Sequence, residues 1–208
     1  MTEEKEFYTK EQIDELKEIT NIGAGNAATA LSHMLGKKVQ MSVPESYVGD
    51  LAEVQHIVGE SEEKVMAVFF KMHGDAEGAM LMIFPPKDAL NFINVLTKNN
   101  KKDINDFTEE DKSSISELGN ILLGASVAAL GKFLNLNILH TIPDQAYDMV
   151  GAIMDNVLSN LGQTEEKVLL FKINLKLVED NGVGGDLYYL FDPESTKKIF
   201  SVLNSKIK

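Results

Sequence analysis

The chain has 208 residues, 44% apolar and 25% charged, enough for one large domain or two small fused ones with a sizeable core. Its 20 basic and 32 acidic side chains give a formal net charge of −12, which argues against general binding to nucleic acid or anionic membranes. The absence of cysteine excludes disulfides, thiol catalysis and thiolate metal sites.

The opening "MTEEKEFYTK" is acidic and polar with no apolar core, so no signal peptide is expected there. The longest apolar stretch, "ILLGASVAAL" (121–130), is too short to span a bilayer, so the cytoplasm is the expected compartment. Residues 11–35 read as a helix opened by Thr9 or Lys10, because Ile13, Leu16, Ile19 and Ile22 recur at about three-residue spacing. In "KKVQMSVP", Val39, Met41 and Val43 alternate as in a strand. Two further strands, 64–72 and 77–84, are joined by the turn "HGDA". Pro85 and Pro86 end the sheet, a short amphipathic helix covers 87–98, and the polar run 99–107 reads as a linker.

The pattern then restarts. Thr108, with Asp111 three positions on, opens a helix running to about Asn135. "LNILHTIP" repeats the strand and its closing proline. The segment "DQAYDMVGAIMDNVLSNLG" reads as an extra helix, where the first half is irregular or strand-like. Strands are predicted at 168–178 and 186–191, and a last helix starts near Pro193.

The two long helices superpose with a shift of 99 residues. Glu18 falls on Glu117, Asn21 on Asn120, Ile22 on Ile121, Gly25 on Gly124, and Pro44 on Pro143. A repeat this long predicts an α/β chain of the α+β type with pseudo-twofold symmetry, two long helices packing on a mostly antiparallel sheet. The expected organisation is one domain of two repeats, about 9–98 and 108–208. Such a duplication makes a monomer reasonable, since it can stand in for a dimer.

Gly23-x-Gly25-x-x-Ala28 has the spacing of a dinucleotide-binding loop. That loop needs a buried strand before its glycines, and here the preceding "EQIDELKEIT" is charged and helical. In the second copy Gly23 becomes Leu122 and Ala28 becomes Val127. Packing is the better reading: glycine inside a helix costs about 1 kcal/mol against alanine, tolerable where it lets another helix or the sheet approach closely. Gly124, Ala125, Ala128 and Ala129 are expected to do the same in the second copy.

What both copies share is polar. Asp14, Glu18 and Asn21 stand at i, i+4 and i+7 on one helical stripe, and Ser113, Glu117 and Asn120 repeat that spacing. Solvated Glu and Asn on a helix are common, but chance would not keep Glu, Asn and a downstream proline at matching offsets while their neighbours change. An Asn is neither nucleophile nor base, yet its carboxamide donates and accepts hydrogen bonds and can hold a water in a chosen orientation. A Glu can pair with a lysine. No metal cluster is evident, and His33, His56, His73 and His140 are scattered without ligand spacing. The motif reads as half a site, completed by a partner carrying a phosphoryl group.

On these residues the sequence resembles the CheC family of chemotaxis phosphatases, within the CheC/CheX/FliY group. Its signature, Asp/Ser-x-x-x-Glu-x-x-Asn followed after 22 residues by Pro, is matched by both copies, and "EITNIGAGNAATALS" resembles the family's most recognisable stretch. The resemblance covers nearly the whole chain. It implies a phosphatase acting on the aspartyl phosphate of the response regulator CheY. Asn21 and Asn120 would position water, Glu18 and Glu117 would pair with the regulator's lysine, and Asp14 and Ser113 would support the helix face. Pro44 and Pro143 would fix the chain path. No cofactor of the chain's own is implied, only Mg²⁺ in the regulator's pocket. The resemblance also implies a second partner, the receptor deamidase CheD, reached through "AYDMVGAIMDNV" with Asp148 as the contact. An adaptor for CheD with little catalysis is the alternative function. On local sequence, this segment could equally be core cover through Met149, Val150, Ile153, Met154 and Val157.

Overall fold

The computed structural model describes residues 8–161, 167–179 and 183–206, so the opening segment is outside the described residues up to residue 7. Two 26-residue helices dominate, α1 (Lys10–Leu35) and α4 (Glu109–Leu134). Both start with a reciprocal capping box, Thr9 with Gln12 and Thr108 with Asp111, so each first turn satisfies two backbone amides that a helix otherwise leaves unpaired. Both end in a left-handed residue, Gly36 in one (φ 61°) and Asn135 in the other (φ 57°).

After α1 come β1 (Val39–Asp50), α2 (Leu51–Val58), β2 (Lys64–Gly74), β3 (Gly78–Phe84) and α3 (Pro86–Thr97). After α4 come β4 (Ile138–His140), β5 (Asp144–Met149), α5 (Val150–Leu161), β6 (Lys167–Leu177), β7 (Gly184–Phe191) and α6 (Pro193–Lys206). The fold is therefore α+β. All pairings in the seven-stranded sheet are antiparallel, in the order β1-β6-β7-β3-β2, with β4 and β5 both on the far edge of β2.

Helices cover both faces. On one, Met66, Val68, Phe70, Met80, Met82, Phe171, Ile173, Tyr189 and Phe191 pack beneath α1, α4, α3 and α6. On the other, Val65, Ala67, Leu81, Ile83, Leu170 and Tyr188 pack against α2 and α5. Every residue of β3 is therefore buried, and its sequence "GAMLMIF" is apolar throughout rather than alternating. α4 is long and apolar enough to cross a membrane by length and composition, but half of that stretch is buried within the fold.

Three local expectations change. The segment read as irregular or strand-like in the first half contains α2, whose Leu51, Val54 and Val58 are buried. The stretch 144–162, read as one extra helix, is over its described residues 144–161 a strand followed by a helix: β5 occupies Asp144–Met149, and α5 starts only at Val150, 99 residues after the start of α2. Thus α5 is the counterpart of α2 and not an addition. Its Val150, Ile153, Met154 and Val157 are core cover, whereas Met149 is 44% exposed. The joining run 99–107 contains a 3-10 turn at Ile104–Asp106, and Ile104 and Phe107 pack against the core.

Candidate functional site

Both stripes lie on the outer surface of the long helices. Asp14, Glu18, Ser113 and Glu117 are exposed, and Asn21 and Asn120 are half-buried. The helices pack directly on each other at Gly23. A Cβ there would come within 2.6 Å of the Ser126 carbonyl oxygen and 3.1 Å of the Ala129 Cβ, so the helices meet almost backbone to backbone. That confirms the packing role for Gly23. It does not extend to Gly25 or Gly124, where an added Cβ would meet nothing within 4 Å. In the second copy the close approach comes from Ser126 and Ala129 instead.

Beyond the stripe the two copies differ. In the first, β1 carries a bulge between Ser42 and Glu45, where its pairing with β6 shifts register. The Val43 amide falls in the bulge and donates to Asn21 Oδ1 at 2.8 Å. Lys17 Nζ donates to the Pro44 carbonyl at 2.9 Å. Helix and bulge are thus tied at two adjacent points, and one lone pair of the Asn21 carboxamide is taken.

In the second copy the strand is interrupted at Thr141–Pro143, between β4 and β5, where the register against β2 likewise shifts by one residue, but Ile142 is 89% exposed where Val43 is buried. Ser116 occupies the position of Lys17. Gln145 Nε2 makes the tie from the strand side, donating to Ser116 Oγ and to the Lys112 carbonyl, each at 2.6 Å. Among the described residues the Asn120 side chain makes no hydrogen bond. Lys17 and Gln145 escaped the sequence reading because neither recurs at the shift of 99, so comparing the repeats passes over both.

The motif residues line neither the cleft of about 260 Å³ bordered by Glu63, Asp88 and Asp186 nor the one of about 280 Å³ bordered by Phe107, Gln145 and Tyr147. They lie on the helix surface, with an exposed carboxylate and a part-exposed carboxamide that could enter another molecule's pocket. Asp148, the expected contact for a second partner, lies in β5, not in a helix. It is exposed beside Tyr147 (40% exposed) and Met149.

A profile of the CheC-like family matches residues 11–48, a span containing Asp14, Glu18, Asn21 and Pro44. The CheY-P phosphatase CheC of Bacillus subtilis (strain 168) is 32% identical over 201 residues, covering 95% of this chain and 96% of its own length. The chain belongs to the CheC-like family. Among solved structures, Thermotoga maritima FliY superposes with a TM-score of 0.75 at 19% identity, over 96% of this chain and 98% of its own. CheX from a Borrelia burgdorferi CheX–CheY–BeF₃–Mg²⁺ complex superposes with a TM-score of 0.52 at 18% identity, over 82% of this chain and 96% of its own. At these identities the likeness is one of fold, and this chain carries the CheC-like architecture from α1 to α6.

Proposed function

We propose that this CheC-like chain is a protein phosphatase that hydrolyses the aspartyl phosphate of the response regulator CheY. The observation that carries the reading is the duplicated Glu and Asn pair on the surface of two helices, outside both larger clefts among the described residues. A site with an orienting amide and an acid, lining neither of those clefts, is useful when a partner supplies the rest. The 32% identical relative named as a CheY-P phosphatase supplies the substrate class.

In this mechanism Asn21 or Asn120 accepts a hydrogen bond from a water through Oδ1. The water's oxygen lone pair then faces phosphorus, opposite the aspartyl oxygen. Glu18 or Glu117 pairs with the regulator's lysine and fixes the helix in register. The water oxygen bonds to phosphorus as the phosphorus–aspartyl oxygen bond breaks. The carboxylate leaves, inorganic phosphate is released, and the water's proton goes to phosphate or solvent. The chain needs no cofactor of its own, because the Mg²⁺ belongs to the regulator's pocket.

The exposed Asp148, Tyr147 and Met149 favour a second reading, a docking face for CheD that makes the chain chiefly an adaptor. One experiment separates the two: decay of phosphorylated CheY with the wild type and with Asn21→Ala/Asn120→Ala, with and without CheD. The phosphatase reading expects acceleration by the wild type and none by the double variant. No acceleration by either, with CheD binding lost on Asp148→Ala, would leave the adaptor.

A further inference from the structure

Five glycines lie inside α1 and α4, and they fall into two kinds. Gly23, Gly119 and Gly131 each have a neighbour that a side chain would strike: the Ser126 carbonyl oxygen at 2.6 Å, the Phe70 ring at 2.6 Å and the Leu136 carbonyl oxygen at 2.7 Å. None of these three recurs, since their repeat partners are Leu122, Thr20 and Ser32. Gly25 and Gly124 are the reverse. They recur at the shift of 99, are exposed, have no positive φ, and would meet nothing within 4 Å if a Cβ were added. Thr29 donates to the Gly25 carbonyl at 2.9 Å, yet its side chain leaves the Cβ position open. Glycine is the least favourable residue after proline in a helix interior. Both copies carry that cost for no reason inside the molecule.

The reason lies in where a side chain would go. Gly25 and Gly124 stand four residues after Asn21 and Asn120, on the same stripe. Helical side chains lean towards the N-terminus and cover the preceding turn. A side chain at 25 or 124 would therefore stand over the Asn carboxamide. We infer that Gly25 and Gly124 are clearance residues: they leave Asn21 and Asn120 uncovered on the C-terminal side, so that the backbone around the regulator's phosphoryl pocket can close onto the helix. This rests on the phosphatase reading and specifies how its substrate docks.

The test compares wild type, Gly25→Ala/Gly124→Ala and Gly25→Leu/Gly124→Leu. Three readouts are taken: thermal unfolding, the kcat/KM for phosphorylated CheY, and affinity for beryllofluoride-activated CheY. The alanine pair is expected to raise Tm by about 4 °C or more, because helix propensity improves and nothing is struck. The leucine pair is expected to stay folded while kcat/KM falls about tenfold or more, mainly through KM, with a parallel loss of affinity. Folded variants with wild-type kcat/KM and affinity would overturn the inference and leave the phosphatase reading intact. A lower Tm in the alanine pair would also overturn it, by giving the glycines a structural role. A wild-type chain that neither binds nor dephosphorylates CheY would sink both.

Discussion

At the residue scale the two copies share a motif but not a hydrogen-bond state. Asn21 Oδ1 holds the Val43 amide, which the β1 bulge takes out of register with β6. Asn120 has no such commitment among the described residues. A water-orienting Asn works through that same oxygen, so the second site offers it undivided. Asn120→Ala is therefore expected to reduce CheY-P turnover more than Asn21→Ala. Stability should follow the opposite order. Removing the Asn21 acceptor leaves a backbone N–H unpaired and costs about 1 kcal/mol or more, a Tm fall of roughly 2–4 °C, while Asn120→Ala leaves Tm nearly unchanged. Equal activity losses, or equal Tm values, in the two single variants would contradict this. None of it is visible in the sequence, where the two Asn residues look identical. Both copies carry one extra residue at this point; the difference is that Val43 is buried with its amide on Asn21, whereas Ile142, 99 positions on, is 89% exposed.

At the element scale the long helices were legible because their signals are local. Apolar residues at helical spacing, a capping box and a matching offset all lie within one stretch of chain. The short elements were not. "LAEVQHIV" is too brief for its period to show, and "DQAYDM" is an exposed edge strand without alternation, so it merged with the helix after it. The start of α4 also joins cap to linker. The Asp111 side chain is 1% exposed and lies 3.0 Å from Lys101 Nζ. Burial pushes its carboxyl up, but the Thr108 amide and hydroxyl and the Lys101 ammonium outweigh that, holding it below the ordinary 3.8. A depressed carboxyl stabilises the fold above its unfolded value and loses that contribution as pH falls through its folded value. At pH 7, Asp111→Asn is expected to cost about 1–3 kcal/mol, since it weakens hydrogen bonds to a charged acceptor. The difference in Tm from wild type should shrink below about pH 4 as the wild-type carboxyl protonates. A gap that stays constant from pH 7 to pH 3 would show that the carboxylate charge contributes nothing to this junction.

At the scale of the whole molecule, the repeat seen in sequence gives no hint of how its copies join. β1 pairs with β6, and β4 and β5 pair with β2, so each half lends its first strand to the other half's second. β3 and β7 then pair across the middle of the sheet. Cross-half pairing has no local sequence signature, because register depends on partners more than 60 residues away. The site depends on it too: the bulge that holds Asn21 sits on a strand registered by β6, and the β5 segment tied to α4 through Gln145 is registered by β2. Neither half alone can pair its first strand as it is paired here. Residues 1–100 and 101–208, produced separately, are expected to give no cooperative thermal transition as monomers. When mixed they should form a 1:1 complex with a single transition and recovered CheY-P phosphatase activity. Circular dichroism, size-exclusion chromatography and the decay of phosphorylated CheY would check this. A cooperative transition from either half as a monomer would mean that the strand exchange is dispensable and that each copy carries its own fold.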